Sequence, residues 1–202
     1  MKILIILIIS FLGCAERNKS VLDTSDFNES NPNQSNKVFE IFIKNFPTKF
    51  LPIILDERNM LDFMTNKELD SAMITRFVEP NRDLRGEIKL FDIYNYYPVY
   101  QFTVNDSIIV IIVLKRGGSG GMDDTFIMLS YENFKMKTSE IIGKMLGDCS
   151  FTKKIESTIY EDFTIEQQQH ELKLDCISEE ILEESIIKKK FQFKDDGSIV
   201  EL

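Results

Sequence analysis

Polar and apolar positions divide this chain into four unlike stretches. Ile3 to Leu12 is apolar except for Ser10. Ala15 to Lys37 is rich in Asn and Ser and poor in large apolar residues. Val38, Phe39, Ile41, Phe42 and Phe46 then recur at helical spacing, with Ser35 or Asn36 as the expected cap and Pro47 as the stop. Lys49 to Leu55 reads as extended. A second helix is expected at Thr65, where Thr65 and Glu68 have capping-box spacing and Leu69, Met73, Ile74 and Phe77 form the apolar stripe.

Beyond Glu87 the period changes to two. Strands are expected over Ile88–Tyr94, Val99–Val104, Ser107–Leu114, Thr125–Tyr131, Lys135–Ile142, Phe151–Ile159, Gln168–Cys176, Ser185–Lys194 and Ile199–Leu202. Ser178–Ser185 also reads as a helical turn. Close strands joined by short turns favour antiparallel neighbours. Ser107–Leu114, apolar on both faces, should be a central strand covered on both sides. The expected fold is α+β: N-terminal helices packed on a long antiparallel meander, either an open sheet, a sandwich or a partly closed barrel.

The first stretch carries the clearest address. Lys2, the short apolar run and Gly13 have the layout of a secretory signal peptide. The run is shorter than the roughly 20 residues a spanning helix needs. Phe11, Leu12, Gly13 and Cys14 resemble the lipobox of bacterial lipoproteins, with Phe11 where that family usually has Leu. The resemblance implies that residues 1–13 are removed and that Cys14 carries a diacylglycerol. Acyl chains bury many methylenes at about 0.8 kcal/mol each, so the anchor would be stable. Residues 14–37 would be the lipidated cysteine and a flexible tether, and residues 38–202 a single domain. In that family an Asp after the cysteine commonly signals retention in the inner membrane. Ala15 therefore implies an outer-membrane protein facing the periplasm, with surface display left open. The body from Val38 is loosely similar to small envelope lipoproteins of unknown function, a likeness of pattern that carries no activity.

Charge narrows the partners. The formal net charge is −9 over 202 residues. An acidic domain has no electrostatic footprint for nucleic acid, and anionic lipid would repel it, so the lipid rather than the domain would hold the membrane. The expected partner is an envelope protein or a surface polymer.

Candidate chemistry is sparse. Lys115–Asp124, with four glycines, invites a phosphate reading through the glycine backbone with Lys115 and Arg116, which Asp123 and Asp124 would oppose, or a calcium reading through Asp123 and Asp124. Phosphate cradles place a helix after the glycines, and calcium wants six to eight oxygens. A strand follows here, so a hairpin is the plainer expectation. His170, the only histidine, has no G-x-S-x-G partner motif and too few companions for zinc. Cys149 and Cys176 are a candidate disulfide if their strands pair about Asp162-Phe163, with Leu174 opposite Phe151; two buried free thiols are the alternative. The tyrosines of Leu90–Phe102 are read as core and strand pairing, with a sugar- or peptide-binding strip as the alternative. No metal or cofactor is expected. The leading functional reading is a lipid-anchored, non-enzymatic binding module. The alternatives are an envelope hydrolase and an inhibitor or immunity-type protein whose acidic surface masks a basic partner.

Overall fold

The computed structural model describes residues 32–80, 94–117, 122–178 and 180–202. The expected signal peptide, Cys14, the tether as far as residue 31, the strand over Ile88–Tyr94 apart from its last residue, and Gly118, Gly120 and Gly121 lie outside the described residues.

The chain is mostly antiparallel β-sheet with a few helices. Helix α1 spans Pro32–Ile43, starting inside the stretch expected to be tether. Proline suits the first helical position, where its missing N–H costs nothing. Strand β1 is Ile53–Leu55, within the extended segment expected there. Helix α2, Glu57–Phe63, was not expected. Asp56 caps it and forms a capping box with Asn59, whose amide and side chain meet Asp56 at 3.1 and 3.2 Å.

The helix expected at Thr65 is displaced. Thr65 instead finishes α2, its hydroxyl donating to the Asp62 carbonyl at 2.7 Å. Leu69 donates to the Tyr96 carbonyl, and Glu68 accepts from the Tyr97 hydroxyl. Those contacts hold 65–69 against the sheet. The helical turn α3 begins only at Ser71, capped by Asp70, and runs through Met73 into a π-helical turn over Ile74–Val78. Met73, Ile74 and Phe77 of the expected stripe lie on these helical turns, but Leu69 precedes them and the cap was misplaced.

Eight strands follow: β2 Tyr94–Thr103, β3 Ile108–Gly117, β4 Met122–Glu132, β5 Lys135–Gly147, β6 Phe151–Ile159, β7 Thr164–Leu174, β8 Ile181–Phe193 and β9 Ile199–Glu201. They pair in chain order, each antiparallel to the next. The sheet is open, since among the described residues no ladder joins β9 to β2. The segment before Ser185 is strand from Ile181 onward, not a helical turn. Asn133 and Phe134, both at positive φ, close the β4–β5 hairpin as a two-residue turn requires.

One break in the pairing shapes the molecule. β5 pairs β6 only from Lys144↔Ile155 to Gly147↔Thr152. β1 takes the vacated edge, with Ile53↔Ile159 and Leu55↔Ser157. Freed from each other, the two halves of the sheet share one core. Val110, Ile112, Leu114, Phe126 and Met128 from the first half meet Ile159, Ile165 and Phe193 from the second, with Met60 and Phe63 of α2 among them. Ser130 and Thr138 donate to the Gly197 carbonyl at 2.9 and 3.0 Å, tying the β8–β9 turn across to β4 and β5.

The alternate residues of β3 enter a second cluster. Ile111 and Val113, with Leu129 and Tyr131 of β4, lie among Phe39, Phe42, Ile74 and Phe77. Phe39 sits 4.9 Å from the Tyr131 ring and Phe42 stacks on Phe77 at 4.7 Å. β3 is therefore buried on both faces, as its continuous apolar run implied.

Candidate binding face

The second half of the sheet is arranged differently. In β6 and β7, Ile155, Ser157, Ile159, Ile165 and Gln167 point inward and are buried. Their neighbours point out, because side chains alternate along a strand. Three rows cross the outer face: Ile54, Thr158, Glu166 and Lys190; then Glu156, Gln168 and Lys188; then Lys154, His170 and Ile186. This face carries both charges in near balance, with Ile54 and Ile186 as its large apolar members, each more than half exposed.

Local partners fix the charges. Lys190 lies 3.3 Å from Glu166, which also accepts from the Tyr160 hydroxyl at 3.0 Å. That hydrogen bond raises the Tyr160 pKa. Lys154 bridges Glu156 at 2.9 Å and Glu57 of α2 at 3.3 Å, and the Glu156 contact raises its pKa. Exposed pairs of this kind contribute little stability, but they fix donors and acceptors in place. Between this face and the β1–α2 corner lies an open cleft of about 640 Å³, lined by Arg58, Tyr160, Gln168 and Lys188 among others. Its mixed walls suit hydrogen-bonding and ionic recognition.

The expected site residues are scattered. Asp123 and Asp124 lie on β4, not in a loop. Asp123 faces Lys144 at 3.6 Å and the Tyr94 hydroxyl at 3.4 Å. Asp124 is buried beside Arg116 at 3.7 Å; desolvation raises its pKa and Arg116 opposes the rise. Their charges are engaged with lysine and arginine, and no group of three or more metal-ligating side chains occurs among the described residues. The β3–β4 ladder on either side of the glycines is the hairpin expected there.

His170 binds Glu184 at 2.7 Å across the β7–β8 hairpin. Tyr96 and Tyr97 are buried in opposite clusters, so the aromatic stretch is core and strand pairing. Cys149 and Cys176 are free and exposed, not buried. They adjoin: a hydrogen bond with the Cys149 thiol pushes the Cys176 thiol up to about 11. Their strands pair one position from the expected register, with Phe151 opposite Lys173. The Tyr160–Thr164 turn sets that offset, Tyr160 donating to Thr164 and Phe163 holding positive φ.

The outer face itself was missed. Gln167, Gln168 and Gln169 are alike in polarity, so nothing in their side chains marks which one points inward. Among the described residues no helix is long and apolar enough to cross a membrane. Comparison with known protein families, curated proteins and solved structures finds no match.

Proposed function

We propose that this chain is a lipid-anchored protein of the cell envelope that acts by binding an envelope protein or surface polymer. The carrying observation is the segment Phe11-Leu12-Gly13-Cys14 directly after an apolar run that starts from Lys2. It supports acylation at Cys14 and placement in the outer membrane, facing the periplasm. Residues 15–31 give a spacer between lipid and domain. The uncovered, charge-paired face of β6–β8 is the working surface in this reading, and the mixed cluster of Phe39, Phe42, Phe77 and Tyr131 supports the N-terminal helices as the cover of the first half-sheet.

Two experiments test it. Cys14→Ser should move the chain out of the membrane fraction. Capture of envelope extracts on the wild-type chain should yield a partner that Tyr160→Ala with Lys188→Ala fails to retain. A Cys14→Ser chain that stays in the membrane would contradict the anchor, and capture unchanged by the face variant would contradict the surface.

A second reading, an envelope hydrolase, would centre on Asp124, a carboxyl buried beside Arg116 next to the glycine hairpin. Activity on ester, amide or glycosidic substrates that disappears in Asp124→Asn would support it over binding.

A further inference from the structure

β8 is unusual in its edge. It pairs β7 along its whole length, from Thr164↔Gln192 to Leu174↔Ile181. On its other side β9 covers only Phe191–Phe193, and Leu202 donates to the Lys190 carbonyl. From Leu182 to Lys189 the outer edge has no partner strand among the described residues. An open edge of this length is a template for another strand.

Backbone direction fixes which residues can pair there. Phe193 donates to Phe163 on the β7 side, whereas Lys190 accepts and Lys194 donates on the β9 side. The β7–β8 register holds without a bulge from Gln192 to Glu183. Alternation therefore turns the N–H and C=O of Glu184, Ile186 and Lys188 toward the free edge.

The edge sequence is Leu182-Glu-Glu-Ser-Ile-Ile-Lys-Lys-Lys190. We propose that β8 pairs with β8 of a second copy of this chain, antiparallel about a two-fold axis at Ile186. Glu184 then lies opposite Lys188 and Glu183 opposite Lys189, each pair occurring twice by symmetry. The two Ile186 side chains, each 56% exposed in the single chain, meet on the axis. Charge and hydrogen bonding select this register together. An axis at Ile187 would set Glu184 against Lys190, whose carbonyl is already taken by Leu202. An axis at Ser185 would leave every Glu–Lys pair within Leu182–Lys190 unmade. Lysines on an edge normally deter pairing; here a parallel strand would set Lys against Lys, whereas the antiparallel copy sets Lys188 and Lys189 against glutamates and leaves Lys190, opposite Leu182, on its own Glu166. Lys188 makes no ion pair among the described residues, which leaves it open to that glutamate. The pairing would join two β6–β8 faces into one continuous sheet surface. It goes beyond the proposed function and does not depend on the lipid.

The test uses the detergent-solubilised full chain carrying Cys149→Ser and Cys176→Ser, with Ile186→Cys added. Paired strands set opposing hydrogen-bonded Cα atoms about 5.5 Å apart, within reach of a disulfide. Mild oxidation should give a cross-linked dimer well above the level of the background chain. Leu182→Cys in the same background should give none, because the two copies of residue 182 would lie about 26 Å apart. The charge arm mixes two variants without added cysteines. Lys188→Glu with Lys189→Glu, and Glu183→Lys with Glu184→Lys, should each sediment as monomers, and their equimolar mixture should regain the dimer. Ile186→Cys cross-linking no better than background, Leu182→Cys cross-linking as well as Ile186→Cys, or a mixture that stays monomeric would each overturn the pairing.

Discussion

Gly143 tests whether the shared core is packed as tightly as the strand pairing requires. It lies opposite Phe126, beside the bulge at Phe126/Ile127. A Cβ at residue 143 would stand 2.6 Å from Phe126 Cδ2, 3.2 Å from its Cβ and 3.3 Å from its Cγ. Ordinary carbon contacts lie near 3.5–4.0 Å, so the ring would have to retreat by roughly 1 Å. It has nowhere to go, being fully buried with Phe63 edge-on at 5.8 Å. Overpacking of this kind costs about 1–3 kcal/mol, against roughly 0.4–1 kcal/mol gained by stiffening the unfolded chain. Gly143→Ala should therefore destabilise. Phe126→Ala alone should cost about 3–5 kcal/mol, and adding Gly143→Ala to it should be neutral or mildly stabilising, because the clash has gone. If Phe126→Ala does not fold, Phe126→Leu serves as the gentler background, where the Gly143→Ala cost should shrink. Urea unfolding followed by circular dichroism gives each value; the chain has no tryptophan to report by fluorescence. A Gly143→Ala cost that is absent, or that persists unchanged beside Phe126→Ala, would refute the packing described.

Other outcomes follow from single contacts. The buried Tyr131 hydroxyl donates to the Phe77 carbonyl, so Tyr131→Phe should cost about 1–3 kcal/mol by leaving that carbonyl unpaired. Burial raises the Tyr131 pKa, so its contribution is complete below the unfolded value of about 10 and is lost as pH rises, which alkaline unfolding monitored by tyrosinate absorbance will show. Asp148, Asp162 and Asp175 accept turn N–H groups, and Asp196 accepts from the Ser198 hydroxyl and N–H; these bonds lower their pKa values. Their contribution is present above the unfolded value of about 3.9 and is lost as pH falls through the lowered ones; Asn at all four should flatten the acid limb of stability against pH. Cys149→Ala removes the hydrogen bond that holds the Cys176 thiol up, so Cys176 should alkylate several-fold faster at neutral pH. In wild-type protein taken from an oxidising compartment, unfolded without reductant, neither thiol should alkylate, because the adjoining pair closes to a disulfide.

What the sequence revealed depended on how strongly each pattern was constrained. β3 was legible because an unbroken apolar run must be buried on both faces, and its two clusters bear that out. β6 has the limits its alternation implied. Helix α2 escaped notice because Asp56–Phe63 is short and charged, held by one capping box and two buried side chains, Met60 and Phe63. Thr65 and Glu68 had the right spacing for a cap, yet the end of α2 claimed the Thr65 hydroxyl through Asp62 and a tertiary contact to Tyr97 claimed Glu68. The Cys149–Cys176 register was off by one because the turn at Asp162-Phe163 sets it; Ile159 opposite Ile165 marks the true register, but most other positions of these strands are polar and fit either one. The outer face of β6–β8 was hidden for the same reason. The edge of β8 could not be seen at all, since only the shortness of β9 leaves it uncovered.

The most direct measurement is the intact mass of protein extracted from membranes, beside a Cys14→Ser version. The account predicts a mature chain that begins at Cys14 and carries added acyl mass, both lost in the variant. An unmodified chain that still begins at Met1 would contradict it.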